Sequence, residues 1–320
     1  MAETETAAPP PPPRTSRKVQ KSMAAFETAE GVGARVKRSV GTPGMWNPSP
    51  FLILDWATVE RGAGFPTHPH RGMSTLTWVL DGTMQHEDFL GNKGVLGTGD
   101  AQWMTAGRGI VHSEMPLFPE DGPGTATSLQ LWIDLPAAKK MVKPSYQDRK
   151  ASSMGRAAWD GGSVTVVVGE VCGASGPIKP TGADGMLFAD FSLERAGAEA
   201  WAAVEPGHTA IVYVLSGTLR IGETTLEAHH AAVLSAGEDE TGVLLSKPSG
   251  RKPTRAVLIA GKPLDQPVVQ QGPFVVTSRE AAAQAVKDFQ AGRNGFEKAP
   301  GWVSEIGKSA RPGGGRRRRD

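Results

Sequence analysis

The chain has almost no cysteine: Cys172 is the only one in 320 residues. An intramolecular disulfide is therefore excluded, and a reducing compartment fits. Cys172 itself reads as a small strand or loop residue. Tyrosine is nearly missing as well, with 2 against Trp 8 and Phe 10. A surplus of either charge is lacking, since 35 Lys and Arg face 33 Asp and Glu for a net charge of +2. That balance gives no argument for direct binding to nucleic acid. No apolar run approaches the roughly 20 residues that cross a bilayer, so no membrane partner is expected. Where an export signal would carry its apolar core, the N-terminus carries Pro9 to Pro13, and Glu3 and Glu5 argue against a transit peptide. Cytoplasmic and/or nuclear localisation is the expectation.

Glycine and proline, by contrast, are abundant, at 40 and 25 residues, which predicts many turns and few long helices. Residues 1–22 are low in complexity, and Arg316 to Arg319 close a glycine-rich tail. Between these ends the signals are those of short strands. Phe51 to Leu54 is apolar, Ser74 to Leu80 alternates and runs into a hairpin signal at Asp81-Gly82, and Ser128 to Ile133 alternates again. Strands and turns at this spacing predict a sandwich or barrel. A helix is predicted only near the end, over Ala281 to Gln290. Thr277 and Glu280 form a capping-box pattern before it, and Gly292 and Gly295 stop it.

The second half repeats the first. Trp78 to Met84 matches Tyr213 to Leu219, and Val95 to Asp100 matches Val233 to Glu238, in the same order and at nearly the same offset. A duplicated β domain follows. Carried along those offsets, His68, His70, His112 and Glu114 land on Ala203, Glu205, Gly250 and Lys252, with His208 the only nearby imidazole. The second domain is thus expected to lack whatever site the first one has.

The chemistry concentrates in two pairs, His68 and His70, then His112 and Glu114. Residues i and i+2 of a strand share a face. Two such strands side by side inside a barrel would bring three imidazoles and a carboxylate to one point, the donor set of a divalent transition metal. Without a thiolate, a closed structural zinc site is disfavoured. Iron(II), Fe(2+), is the first candidate, with manganese, nickel, copper and zinc left open. Arg71 and Gln102 are candidates for orienting the ligands, and His86 for a further ligand or acid–base group. His229 and His230 would point to opposite faces of a strand and make a poor site. Trp103 and Met104 read as core.

Phe65-Pro66-Thr67-His68-Pro69-His70-Arg71-Gly72 and the run from Gln102 to Pro116 resemble the pirin family, a branch of the cupin superfamily. The likeness extends to Glu30 to Val36, Leu129 to Trp132, Gly272 to Val275 and Asn294 to Glu297, and covers about residues 23–307. It implies an all-β bicupin: two antiparallel β-barrel (jelly-roll) domains with a short C-terminal helix. The first cupin, 23–155, would bind the metal through His68, His70, His112 and Glu114. The second, 156–307, would bind none, and 1–22 and 308–320 would be disordered tails. Two activities are implied. One is dioxygenase cleavage of a flavonol-like small molecule such as quercetin with O2, in which Glu114 is the candidate catalytic base. The other is metal- and redox-dependent co-regulation of transcription through a nuclear protein partner. One departure stands out: such cupins carry Gly-aromatic-Glu-Thr after the second histidine, where this chain has Gly72-Met73-Ser74-Thr75. A hydroxyl at 74 cannot act as a carboxylate base.

Overall fold

The computed structural model describes residues 13–119, 124–248 and 250–309. Most of Pro9 to Pro13, and Arg316 to Arg319, lie outside them. After β1 (Val19–Ala24), the first barrel begins with β2 (Phe26–Glu30), β3 (Ala34–Val40), β4 (Phe51–Glu60), β5 (Phe65–His70) and β6 (Met73–Asp81). It continues through β7 (Thr83–Asp88), β8 (Lys93–Gly97), β9 (Ala101–Thr105), β10 (Ile110–Pro116), β11 (Thr125–Asp134) and β12 (Ser145–Arg149). The second barrel starts at β13 (Gly155–Trp159) and β14 (Gly162–Val168), followed by a small ribbon of β15 (Glu170–Val171) and β16 (Ala174–Ser175). Then come β17 (Leu187–Leu193), β18 (Glu199–Ala203), β19 (Thr209–Ser216) and β20 (Thr218–Ile221). It closes with β21 (Thr224–Glu227), β22 (His230–Leu234), β23 (Gly242–Ser246) and β24 (Thr254–Gly261). A second ribbon, β25 (Val269–Gln271) and β26 (Phe274–Val276), leads to helix α1 (Arg279–Ala291).

Each barrel pairs a large sheet with a small one, all antiparallel. In the first, the orders are β12-β9-β6-β11-β4-β3-β2 and β5-β10-β7-β8; in the second, β1-β22-β19-β24-β17-β14-β13 and β18-β23-β20-β21. Strand for strand the two lists correspond, so the repeat read from sequence is a repeat of topology. The hairpin signal holds too: Gly82, at φ 83°, joins β6 to β7.

The two large sheets face each other. Alternate residues of β6, β11 and β4 (Leu76, Trp78, Leu129, Leu131, Leu54) pack against Phe188, Ile211, Tyr213, Val257 and Ile259 from the other barrel. Trp103 belongs to this shared core, and Met104, one residue on, faces the first barrel's interior. Both were expected to be core. The second barrel's interior is filled with small and branched apolar groups such as Ala200, Ala202, Val212, Val243 and Leu245.

The chain ends depart from the sequence reading. The tail expected to run to residue 22 ends sooner, because β1 pairs with β22 and occupies in the second barrel the edge that β12 fills in the first. The buried Arg17 secures it, donating from Nη1 to the His208 carbonyl (2.6 Å) and from Nη2 to the Glu205 carbonyl (2.7 Å). Low complexity did not prevent pairing, since a strand edge needs only free backbone groups. At the other end, β26 and α1, grouped with the second barrel on sequence, pack on the first, where Phe274 and Phe296 join Met104 and Ile110. The helix cap also shifts by one: Ser278, not Thr277, accepts the Ala281 amide (3.1 Å), and Gly292 closes the helix at φ 60°.

Candidate metal centre

Strands β5 and β10 are neighbours, and their register sets His112 opposite His68 and Ile110 opposite His70. The alternation of each strand then turns all three imidazoles into the first barrel. One ring nitrogen from each lies within 4.8 Å of the others, and the ring centroids are 4.4 to 5.1 Å apart. Among the described residues no other group of histidine, cysteine or carboxylate side chains is arranged this way.

Burial sets their protonation. His70 is held well below the usual histidine range, first by burial and then by its neighbour His68. His112 is lowered in the same way, by burial, then by His68, His70 and His86. Both are therefore neutral near pH 7 and keep a lone pair to donate. His68 Nδ1 lies 2.8 Å from the Pro66 carbonyl. A carbonyl only accepts, so Nδ1 carries the proton of that bond.

Several buried polar atoms here have no partner within the protein: His70 Nδ1, both ring nitrogens of His112, and His86 Nδ1. Buried groups of this kind are normally satisfied. Three clustered imidazoles, with His70 and His112 held neutral by burial, are a donor set that a divalent transition metal takes, so the residues fit such an ion.

Glu114 shares β10 and the same pocket, yet its carboxylate is not among the clustered atoms. It accepts from Gln130 Nε2 (3.2 Å) and lies 3.3 Å from the Thr77 hydroxyl. The Thr77 proton has a closer acceptor in Gln130 Oε1 (2.8 Å), which turns the amide so that its NH2 faces Glu114. The register of β10 against β5 slips between His112 and Glu114, with the extra residue on β5.

The remaining candidates divide. His86 is buried with Nε2 against Asp148 Oδ2 (2.9 Å), its ring stacked on Tyr146; Gln102 donates to the other oxygen of Asp148 (2.9 Å). Burial first, and then the charges of Asp88, Glu114 and Asp148, raise the Tyr146 hydroxyl well above its ordinary range, so it stays a phenol. His229 lies against Trp56 at a centroid distance of 3.7 Å, away from any cluster. Arg71 points out of the barrel to the C-terminal segment. Ser74 lies on the opposite face of β6 from Thr77, 3.3 Å from the Thr105 hydroxyl that also takes the Trp103 indole N–H. A longer acid at that position would start from the face turned away from the imidazoles.

The sequence reading missed Thr77, Gln130, Trp132 and Asp148. Gln130 and Trp132 are an i, i+2 pair on β11, and the Trp132 ring meets His70 edge-on at 4.9 Å. A polar residue at an inward position of an otherwise apolar strand was the available signal.

A pocket of about 560 Å³ opens over the cluster. Val36, Ile53, Phe65 and Trp132 give it apolar walls, His68, His70, Glu114 and Gln130 its polar floor, and Gln270, Gly272 and Pro273 one lip. On its side wall Arg38 grips Asp55 with two hydrogen bonds, of 2.9 and 2.6 Å. In the second barrel β18 and β23 hold the places of β5 and β10, and their inward residues are Ala200, Ala202, Val243 and Leu245.

Comparison with known proteins agrees with this architecture. The profile of the family described as Pirin matches residues 33–133, and that of the Pirin C-terminal cupin domain matches residues 188–295. A pirin-like protein of Solanum lycopersicum is 44% identical over 295 residues, covering 90% of this chain and 97% of its own. Pirin of Homo sapiens is 43% identical over 301 residues, covering 92% and 99%. The crystal structure of a quercetin 2,3-dioxygenase from Acinetobacter baumannii superposes with a TM-score of 0.78 at 32% identity, covering 87% of this chain and 98% of its own.

Proposed function

Since the chain belongs to the pirin family, with two cupin barrels and a single histidine cluster among the described residues, we propose that it is a metal-dependent dioxygenase of the quercetin 2,3-dioxygenase type. Its metal, Fe(2+) by first preference, would be held by His68, His70 and His112, with Glu114 as the fourth donor or the base. The observation that carries this reading is the meeting of two features: three clustered imidazole nitrogens and a largely apolar pocket beside them. The volume lies within the usual range for small-molecule sites.

A bound divalent ion supplies Lewis acidity and a template for a chelating substrate and O2. The protein's own contribution is positional. Trp132 and Phe65 offer apolar faces to a flat aromatic ligand, and Trp132 also fixes the His70 ring from its edge. Gln130, aligned by Thr77, holds the Glu114 carboxylate at the pocket floor, where it can take a proton from a ligand hydroxyl.

Oxygen uptake by iron-loaded protein on addition of quercetin, followed together with loss of the flavonol absorbance, tests the reading. Turnover that disappears in His70→Ala is the expected result; equal rates in the two proteins would refute it. The co-regulator reading rests on the family resemblance and on Arg316 to Arg319, which lie outside the described residues. Nuclear exclusion of the tagged chain, unchanged when those arginines are deleted, would count against it.

A further inference from the structure

The strands that carry the imidazoles inside the barrel are gripped from outside by the segment 273–306. Arg71 follows His70 directly and is buried. Its Nε donates to the Arg108 carbonyl (2.7 Å), Nη1 to Asp288 Oδ2 (2.9 Å) and Nη2 to the Asn294 carbonyl (2.6 Å), while the guanidinium lies 4.7 Å over the Phe296 ring. Its backbone is engaged too, because the Val275 amide donates to the Arg71 carbonyl (3.0 Å). Arg108 sits in the turn that leads into β10 and His112. One side chain thus ties the end of β5, the start of β10 and the last turn of α1.

Asp288 is the other half of the lock. It accepts from Arg71, Gln284 (2.8 Å), Arg293 (3.1 Å) and Asn294 (2.9 Å). Burial alone would raise this carboxyl; the four donors outweigh it and hold it at about 2. The turn is close-fitting. A side chain at Gly109 would start 2.9 Å from the Phe296 ring, and one at Gly295 2.6 Å from the Arg108 carbonyl. Further along, Ser304 Oγ (2.6 Å) and the Ile306 amide (3.1 Å) both donate to Glu87 Oε1 on the outer face of β7.

We propose that Arg71 and Asp288 are positioning residues for the histidine cluster, locking the C-terminal segment across the back of β5, β10 and β7 so that metal occupancy and docking of that segment are coupled. Neither residue reaches the pocket. Their effect passes through the backbone of His70 and of the turn before His112, and residues supporting a ligand from outside commonly change metal affinity 10- to 100-fold. Coupling is reciprocal: if docking tightens the metal, the metal must tighten docking by the same factor. The proposal rests on the metal-binding reading of the cluster.

The test uses full-length protein and cobalt(II), whose visible absorption reports the ligand field. Asp288→Asn and Arg71→Lys are compared with wild type and with Leu258→Ala, a core change in the second barrel. The expected result is cobalt binding about tenfold weaker or worse in both lock variants, an altered cobalt spectrum, and affinity within about twofold of wild type for Leu258→Ala. In wild type, cobalt should slow amide exchange across residues 279–291. Unchanged affinity in both lock variants, an equal loss in Leu258→Ala, or exchange in 279–291 indifferent to cobalt would overturn the proposal. The exchange measurement needs no variant, so it decides the matter even where a substitution fails to fold. Wild-type protein that binds no cobalt would instead overturn the metal reading beneath it.

Discussion

Replacing His112 by alanine should matter little without metal and a good deal with it, and this separates a ligand from an ordinary core histidine. In the folded chain the ring is fully buried and neither nitrogen has a protein partner. Each unsatisfied buried polar group costs about 1–3 kcal/mol. Truncation relieves that cost and opens a cavity, whose penalty is of similar size, about 2–4 kcal/mol. Chelator-stripped His112→Ala should therefore melt within a few degrees of stripped wild type. With a divalent ion at about 100 times its Kd, wild type gains about 2.7 kcal/mol. For a chain of this length that is about 4 °C in Tm. His112→Ala, with two imidazoles left, should show almost none of it. Differential scanning calorimetry of the four samples gives the comparison, with His230→Ala as a control outside the cluster. An equal metal-induced rise in wild type and His112→Ala would refute the reasoning, as would a stripped variant that melts 10 °C or more below stripped wild type.

Gly94 has no room for a side chain, because a Cβ would lie 2.2 Å from His86 Nε2 and 2.5 Å from Asp148 Oδ2. Gly94→Ala should break that pair and cost about 2–4 kcal/mol; in a His86→Ala background the same change should cost much less, and equal costs in urea titrations would show the clash is not the cause. His229, stacked on Trp56, is depressed to about 4 by burial first and then by Lys37 and His230. A base depressed in the folded state leaves the unfolded chain to take the proton first, so stability is full above pH 6.5 and falls as pH drops from 6.5 toward 4. The loss between pH 7.5 and 5.5 should be about 1 kcal/mol. His229→Asn, which keeps the left-handed backbone that position needs, should remove that part of the slope in urea melts at the two pH values, and an unchanged slope would refute the assignment.

The fold was largely legible because its signals are local. Alternation in Ser74 to Leu80 and Ser128 to Ile133, the Asp81-Gly82 turn and the ordered repeat each needed only neighbouring residues, and each corresponds to an observed strand, hairpin or duplicated sheet. The histidine cluster was legible for the same reason, since i, i+2 spacing fixes a face. Long-range pairing was not legible. Nothing near Val19 announces that it will join a strand more than 200 residues away, and nothing near Asp288 names Arg71 as its partner. Carrying His112 and Glu114 along one offset named positions 250 and 252, whereas strand order puts Val243 and Leu245 in that place. The loops of the two halves differ in length, so one offset does not hold over a whole barrel. The assignment of Glu114 as a ligand came from the i, i+2 spacing and from the family pattern; the bonds of its carboxylate to Gln130 and Thr77 could be seen only in three dimensions.

The two barrels share one topology and differ in what fills them, and this difference predicts how they fail. The second encloses aliphatic and aromatic side chains, so its closure is driven by apolar burial that needs no ligand. The first turns His68, His70, His112, Glu114, His86 and Gln102 inward, and burying such groups is unfavourable unless each finds a partner. On the proposed reading, a metal bound by the histidines would hold its small sheet from within and the C-terminal segment would hold it from without. Removing the metal should loosen β5, β10 and β7 while β18, β23 and β20, their counterparts, stay protected. Hydrogen exchange of the whole chain, before and after chelation, reads this directly. Amides of 110–116 should exchange at least tenfold faster after chelation, and those of 242–246 should not change. Equal acceleration in both barrels would mean that the ion stabilises the molecule as a single unit, and that the polar interior of the first barrel is self-sufficient without it.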